Sequence, residues 1–300
     1  MLKGVTKIKV AKKYLPFLLL LPSVIVVGFF GVPFAIGVYF SLCKYNFIYT
    51  ELRKFAGIYN YITIFRRGEL WHFLYFTGLY AFLCVGIELL LGLAIALLLN
   101  KEVKGVRFFR VLIIIPLILP PILSSLIWKT MMAPDAGVIN YLLEFVHLPQ
   151  VVWLGSQKIV AYSLVLIDTW IYTPFVALIL LAGLQSLPKG CYEAAEIDGA
   201  SEWAMFKEIT LPLLTPYLWV CVLFRGVQSL KMFDVIYVAT KGGPGFTSTN
   251  LHIIAYYTMF RWNNVGLALG YTLLLVVIVW SFSRIVISHW LRSVKVKHGV

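Results

Sequence analysis

Six long apolar segments constrain the fold of this chain more than any other feature. They run approximately over residues 14–43, 73–99, 111–131, 159–184, 213–240 and 265–287. A helix needs about 20 apolar residues to cross the hydrocarbon core, and lipid does not tolerate unpaired backbone groups. The segments therefore predict an all-α integral membrane protein with six transmembrane helices. Pro116, Pro120 and Pro121 predict a kink or break in the third helix.

The composition agrees with this interpretation. Hydrophobic residues make up 61% of the 300-residue chain and charged residues 13%, whereas a soluble domain has about 45–50% and about 25%. We expect one transmembrane domain over residues 1–300 without a separate soluble domain. The first apolar segment is too long for a signal peptide and lacks an A-x-A cleavage site, so it predicts a retained first span.

The chain has a net charge of +13, and its lysines and arginines cluster at the ends of the apolar segments, as the positive-inside rule expects. No basic face interleaved with aromatic residues is present, which excludes nucleic-acid binding. With a cytoplasmic N-terminus, fifteen of the 26 lysines and arginines lie inside and nine outside. The positive-inside rule therefore predicts that both termini are cytoplasmic. Residues 185–212 are then cytoplasmic, and 44–70, 132–158 and 241–264 form outside loops. In 132–158, apolar residues at helical spacing predict a short helix capped by Asp135.

An acidic segment, EAAEIDGASEWAMFKEITLP, occupies residues 193–212 between the fourth and fifth spans. Pro188 suits a helix start, and an acid at Glu193 is expected to interact favourably with the dipole near that start. Gly199 suits the end of that helix and Ser201 the N-cap of a second one, while Pro212 is expected to begin the fifth span. The residues alone leave two interpretations open: a docking surface for a partner, or an ordinary surface connector.

The pattern EAA…DGA…F…I.LP resembles the EAA loop of ABC importer permeases. The matching residues are Glu193, Ala194, Ala195, Asp198, Gly199, Ala200, Phe206, Ile209, Leu211 and Pro212. The stretches FAGIYNYITIF, ELLLGLAIALLLN, RFFRVLIIIPLILPP and TKGGPGFTSTN resemble the carbohydrate-uptake branch, the maltose- and glycerol-phosphate-type permeases. The resemblance covers nearly the whole chain.

This resemblance implies a type I importer permease in the cytoplasmic (inner) membrane. Residues 188–212 would form the coupling helix that contacts an ATPase subunit, through Glu193, Ala194, Ala195, Asp198, Gly199, Ala200 and Phe206. The implied partners are a second permease subunit, two ATP-binding subunits and an extracytoplasmic solute-binding protein. No G-x-x-x-x-G-K-[ST] motif occurs in the chain. We therefore expect no enzymatic activity and no cofactor here, with ATP and Mg²⁺ bound by the partner.

Polar residues inside the spans are the candidates for a substrate path. A charge at the bilayer centre costs about 2.5–3.5 kcal/mol, so it should face the protein interior or water. The charged candidates are Glu88, Asp168, Arg225, Lys231 and Asp234, and the neighbouring residues suited to sugars are Trp170, Tyr172, Gln228 and Phe233. Glu88 or Asp168 either accepts a sugar hydroxyl or pairs with Arg225. Lys231 and Asp234 are expected to pair on one helix face.

Other functions leave different signatures. The histidines are scattered without HExxH, and the four cysteines share no CxxC spacing, so neither a catalytic set nor a metal site is indicated. An ion-coupled secondary carrier would transport solute without ATP. An ABC permease for another solute, such as a polyamine, would share the acidic segment. The sequence favours a sugar or oligosaccharide importer.

Overall fold

The structure, a computed structural model, describes residues 15–101 and 105–297. The predicted start of the first span at Tyr14 lies outside the described residues. The helices are α1 (Leu15–Ser41), α2 (Tyr59–Arg66), α3 (Glu69–Asn100), α4 (Val106–Ile118), α5 (Pro121–Met131), α6 (Val138–Phe145), α7 (Val160–Gln185), α8 (Lys189–Ile197), α9 (Glu202–Met205), α10 (Leu211–Leu230), α11 (Asp234–Thr240), α12 (Leu251–Phe260) and α13 (Val265–Lys297). Two short antiparallel strands, β1 (Cys43–Lys44) and β2 (Lys54–Phe55), follow α1.

Within the described residues, five helical stretches are long and apolar enough to cross a membrane: α1, α3, α7, the continuous stretch Glu202–Leu230 and α13. A sixth crossing exists if α4 and α5 count as one broken span. The prediction of an all-α membrane protein is therefore confirmed.

The predicted third span, 111–131, is broken in its middle. Helices α4 and α5 meet at an angle of 93°. Pro120 is the N-cap of α5 and Pro121 its first residue, where a missing N–H leaves no gap in the hydrogen bonding. Pro116 lies inside α4 without ending it. The predicted break therefore falls at Pro120 and Pro121.

The predicted fifth span, 213–240, is wrong at its C-terminal end. Helix α10 ends at Leu230, and α11 begins at Asp234. Two backbone carbonyls between α10 and α11 accept hydrogen bonds from side chains at the start of α12. Asn250 donates to Met232 O (2.5 Å), and His252 donates to Lys231 O (2.8 Å). Lys231 and Asp234 thus lie outside any common helix, and the described residues contain no ion pair between them. Their predicted pairing is wrong.

The predicted short helix in the loop 132–158 is present as α6, but Asp135 does not cap it. The N-cap is Gly137, without a side-chain hydrogen bond. Asn140 instead organises the loop, because its amide donates to the carbonyls of Pro134 and Val151, at 3.1 Å in each case.

Helix α7 lies at the centre of the bundle and packs against α3, α4, α10 and α11. Two apolar clusters follow one another along it. One contains Leu164, Ile167 and Ile171, with the neighbouring side chains of α3 and α11; the other contains Val176 and Leu180, with side chains of α3 and α10. Tyr172 belongs to the first cluster, and Asp168 lies between Ile167 and Ile171 of the same cluster, so a polar contact made by Asp168 is enclosed by apolar packing.

Candidate functional site

The acidic segment folds as the predicted helix, glycine turn and second helix. In α8, Ala200 N–H bonds to Ala195 O (2.9 Å) and Gly199 N–H to Glu196 O (3.1 Å). This is the Schellman pattern, which needs a left-handed residue at the position after the C-cap. Gly199 supplies it with φ of +76°. The turn therefore depends on glycine at this position.

The second helix continues directly into the fifth span. The hydroxyl of Ser201 accepts a hydrogen bond from Ala204 N–H (3.2 Å), as expected for an N-cap. A π-helical turn, Phe206–Thr210, then joins α9 to α10 without interruption. Pro212 lies at the N-terminus of α10, as predicted, but helical structure extends back from there to Glu202 without a loop.

The residues matched to the EAA loop are concentrated on an exposed surface. Glu193, Ala194, Asp198 and Gly199 are exposed, whereas Ala195, Ala200 and Phe206 are half-buried. Glu193 is the fifth residue of α8 and not part of its first turn, so the expected interaction with the dipole of that turn is wrong.

Two exposed apolar side chains border these acids. Ile197 is 87% exposed and Trp203 70% exposed, and the Trp203 ring stacks on Phe206 at 5.6 Å. Exposed large apolar groups rimmed by polar residues mark interaction sites. Sequence reasoning assigned no role to Ile197, although an isoleucine between two acids was the available signal.

A second site is buried between the spans, where Arg225 of α10 binds two carboxylates. Its Nε donates to Glu88 Oε2 (2.5 Å), and its Nη2 donates to Glu88 Oε1 (2.8 Å) and Asp168 Oδ2 (2.6 Å). The guanidinium carbon lies 3.9 Å from the centre of the Tyr172 ring. Arg225, Glu88 and Asp168 are almost completely buried. This charge cluster joins α3, α7 and α10.

The ion-pair interpretation of Glu88 and Asp168 is therefore observed directly. Removing one partner of a buried ion pair costs about 3–5 kcal/mol, because the remaining charge is left without compensation. Asp168 Oδ1 is buried and has no hydrogen-bond partner among the described residues, so one acceptor remains. A thiol, Cys84, completes a group of possible metal ligands with the two carboxylates. Arg225 already provides their positive partner, and a metal ion would have to displace it.

The six substrate-path candidates divide into two groups. Tyr172 and Gln228 join Glu88 and Asp168 around Arg225, whose Nη1 donates to Gln228 Oε1 (2.9 Å). The other two lie apart from the charge cluster. Trp170 packs edge-on against Trp128 of α5. Phe233 stacks on Tyr237 at 5.0 Å, beside His252 and Tyr256.

Gln228 connects the charge cluster to open space. It lines a cavity of about 510 Å³ together with Lys231, Val227, Leu223 and other residues of α10 and α13. The amide oxygen of Gln228 is fixed by Arg225, while its N–H groups donate to no described residue. An oriented amide donor at the wall of a cavity can bind a hydroxyl or carbonyl oxygen.

Comparison with known proteins gives a consistent result. Residues 88–292, more than half of the chain, match the family described as "Binding-protein-dependent transport system inner membrane component". The trehalose/maltose transport system permease protein MalF of Thermococcus litoralis is 35% identical over 93% of this chain and 94% of its own length. The sulfoquinovosyl glycerol transport system permease protein SmoG of Agrobacterium fabrum is 32% identical over 95% of this chain and 92% of its own length.

A solved structure of similar fold is a bacterial ABC transporter involved in the import of the acidic polysaccharide alginate. Its TM-score is 0.81 at 19% identity, over 93% of this chain and 96% of that one. The fold, the described spans and the match over residues 88–292 agree with one another. This chain therefore belongs to the family of inner-membrane components of binding-protein-dependent transport systems.

Proposed function

We propose that this chain is a membrane-spanning subunit of an ATP-driven importer for a sugar or oligosaccharide. The observation that carries the proposal is the exposed acidic surface of α8 and α9, which is continuous with the span that holds Arg225. Relatives named for trehalose, maltose and sulfoquinovosyl glycerol transport support a sugar as the solute. ATP and Mg²⁺ would be bound by two ATPase subunits, and this chain would supply no nucleotide site.

The exposed surface that contains Glu193, Ile197, Asp198 and Trp203, called here the coupling surface, would lie against an ATPase subunit. Glu193 and Asp198 offer carboxylates to lysines or arginines of the partner, and Ile197 and Trp203 offer apolar area at the centre of the contact. Closure of two ATPase subunits around ATP would displace α8 and α9. Because α9 continues into α10, that displacement would move Arg225 and Gln228 relative to α3 and α7, changing which side of the membrane the path opens to.

In the substrate path, Gln228 is the residue proposed to contact sugar hydroxyls. Glu88 and Asp168 hold Arg225, and Arg225 orients the Gln228 amide. The two carboxylates would thus act as positioning residues, since both are fully buried. The Arg225 guanidinium also lies over the Tyr172 ring. Trp170 and Phe233, which lie apart from this cluster, have a weaker claim to contact the solute.

Helix α1 is proposed to contact the second permease subunit. In the most apolar 18-residue window of Phe17–Ser41, no residue is buried by the rest of the chain. A second permease would cover this surface and complete the path. A solute-binding protein would deliver the sugar to the opposite face of the membrane from α8.

The experiment is uptake by the complete transporter in liposomes. Ile197→Asp should abolish ATP-dependent uptake and substrate-stimulated ATP hydrolysis while leaving membrane insertion unchanged, because it places a charge at the centre of the proposed contact. Gly199→Asp should have the same effect on both activities. Ile122→Ala, an exposed change in α5, is the control. Full coupling in both variants would reject the coupling role, and uptake by this chain alone without ATP would identify a secondary carrier.

Orientation can be tested with Cys191, which lies exposed in α8, whereas Cys43, Cys84 and Cys221 are buried. A membrane-impermeant maleimide should label the chain in inside-out vesicles and not in right-side-out ones. ATPase subunits bound to the complex should slow the labelling. Cys191→Ser provides the background signal. Labelling from the outside would reverse the proposed topology.

A further inference from the structure

A second group of cations lies at the end of the bundle that carries the coupling surface, apart from Arg225. Arg110 of α4 and Lys189 of α8 line one pocket of about 510 Å³, together with Tyr192 and Thr210. None of the described residues that line this pocket is acidic. Both ion pairs among the described residues involve Arg225, so neither cation has a carboxylate partner within them.

The hydrogen-bond donors of Arg110 are only partly paired with described protein groups. Its Nη2 donates to the carbonyl of Leu99 (2.8 Å), but its Nε is buried and has no partner among the described residues. A guanidinium carries five N–H donors in a planar fork that suits phosphate oxygens. An unpartnered buried donor costs free energy. Among the residues that the structure describes, Arg110 therefore has no anionic acceptor.

The same ends of α3 and α4 also form a separate apolar groove. The end of α3 and the start of α4 enclose a cavity of about 560 Å³, lined by Ile95, Leu98, Leu99, Val106, Phe109, Leu112 and Ile113. All of these side chains are hydrocarbon or aromatic. Leu99 links the two features, because its side chain lines the groove while its carbonyl accepts the Arg110 hydrogen bond. An acidic group at Arg110 would thus lie next to the backbone of a residue whose side chain lines the groove.

We propose that this corner binds one anionic phospholipid. The phosphate interacts with Arg110 and Lys189, and an acyl chain occupies the groove between α3 and α4. Anionic lipids are attracted by lysines and arginines near the membrane surface, and each buried methylene adds to binding. Since Lys189 opens α8 and Tyr192 belongs to it, the lipid connects the coupling helix to the spans. Assignment to the cytoplasmic leaflet rests on the proposed orientation, whereas the binding itself does not.

The test is native mass spectrometry of the complete transporter, purified from membranes containing equal phosphatidylglycerol and phosphatidylcholine. The wild-type complex should retain phosphatidylglycerol. Arg110→Gln and Lys189→Gln should each lower the retained amount about fivefold, since each cation near the surface contributes about that factor. Arg107→Gln is the matched control, because Arg107 is exposed on the same helix and lines neither cavity. Its retention should equal that of wild type.

Further arms separate the possible occupants. Val106→Trp fills the groove and should also lower phosphatidylglycerol retention, while inorganic phosphate should not displace the lipid. Equal retention in the Arg110, Lys189 and Arg107 variants overturns the proposal. Displacement by inorganic phosphate shows a soluble-anion site instead and equally overturns it. Absence of retained phosphatidylglycerol from the wild-type complex also overturns the proposal. Lys189 is exposed at the start of α8, so its variant remains informative if Arg110→Gln does not fold.

Discussion

Helices α1 and α7 are spans of similar length and hydropathy but opposite surroundings. They contain 27 and 26 residues, and the mean hydropathy of their most apolar windows is 2.4 and 2.0. None of the α1 window is buried inside the chain, compared with 72% of the α7 window. Hydropathy therefore identifies segments that enter the membrane, and it does not identify which of them enter the protein core.

The two helices differ in their polar residues. Helix α7 buries Ser163, Asp168, Thr169 and Thr173, which lipid would not accept without internal partners. The described part of α1 carries no charged residue. The attachment of α1 to the rest of the chain is concentrated at its C-terminal end, where Asn60 donates to the carbonyls of Ser41 (2.7 Å) and Cys43 (2.8 Å).

The largest effect should come from the charge cluster on the α7 side of this comparison. Arg225→Met leaves Glu88 and Asp168 buried without a cation, which should lower the free energy of unfolding by about 3–5 kcal/mol. Denaturant titration of the purified chain in detergent measures it. Adding Glu88→Gln and Asp168→Asn should recover most of the loss. Arg284→Met, at an exposed position of α13, should leave stability unchanged; an equal loss there would contradict the role of burial.

A matched pair of leucines compares the two helices directly. Leu180 of α7 is fully buried and Leu20 of α1 is exposed. Leu180→Ala should cost about 2 kcal/mol, near the lower end for buried leucines, because the membrane removes the transfer term and leaves the packing loss. Leu20→Ala should stay within about 0.5 kcal/mol. The same titration applies, and equal effects would show that the two helices are not packed differently.

A smaller effect should appear at the contact of α3 with α7. A Cβ added at Gly92 would lie 2.6 Å from Val176 Cγ1 and 3.1 Å from Ala177 N, whereas one added at Gly86 of the same helix meets nothing within 4 Å. Gly92→Ala should cost about 1 kcal/mol through overpacking. Gly86→Ala serves as the control. Thermal unfolding followed by fluorescence checks both, and a neutral Gly92→Ala would indicate a loosely packed interface.

The smallest effect on the isolated chain should come from Phe29→Ala in α1, whose side chain is 73% exposed. We expect a change within about 0.5 kcal/mol. The same substitution should lower recovery of the second permease in affinity purification, because the proposed contact loses an aromatic anchor. A destabilised isolated chain with unchanged recovery would place this surface in the protein's own fold.

Sequence reasoning succeeded where the determinants are local. The left-handed turn at Gly199 and the cap at Ser201 depend on neighbouring backbone groups, and both follow from residue type. The break before Pro121 likewise follows from consecutive prolines. The pairing of Arg225 with an acid in another span was one of two interpretations, since a buried charge requires a partner but the sequence does not specify which one.

Failures occurred where distant residues decide the structure. No glycine or proline marks the end of α10, and the chain leaves the helix at Lys231–Phe233 because Asn250 and His252 bond the freed carbonyls. Asp135 has the residue type of a cap, but Gly137 occupies that position. The buried fractions of α1 and α7 differ because the two helices have different neighbours in the bundle. A hydropathy pattern does not specify those neighbours.

The uninterrupted helical stretch Glu202–Leu230 has a mechanical consequence. Arg225 lies roughly 35 Å along it from Glu202 at 1.5 Å per residue, and no loop separates the two. Under the proposed mechanism, tilting this helix from its Glu202 end would shift the guanidinium away from carboxylates anchored in other helices. Opening of the proposed solute path and breakage of the ion cluster would then both depend on the inclination of one helix.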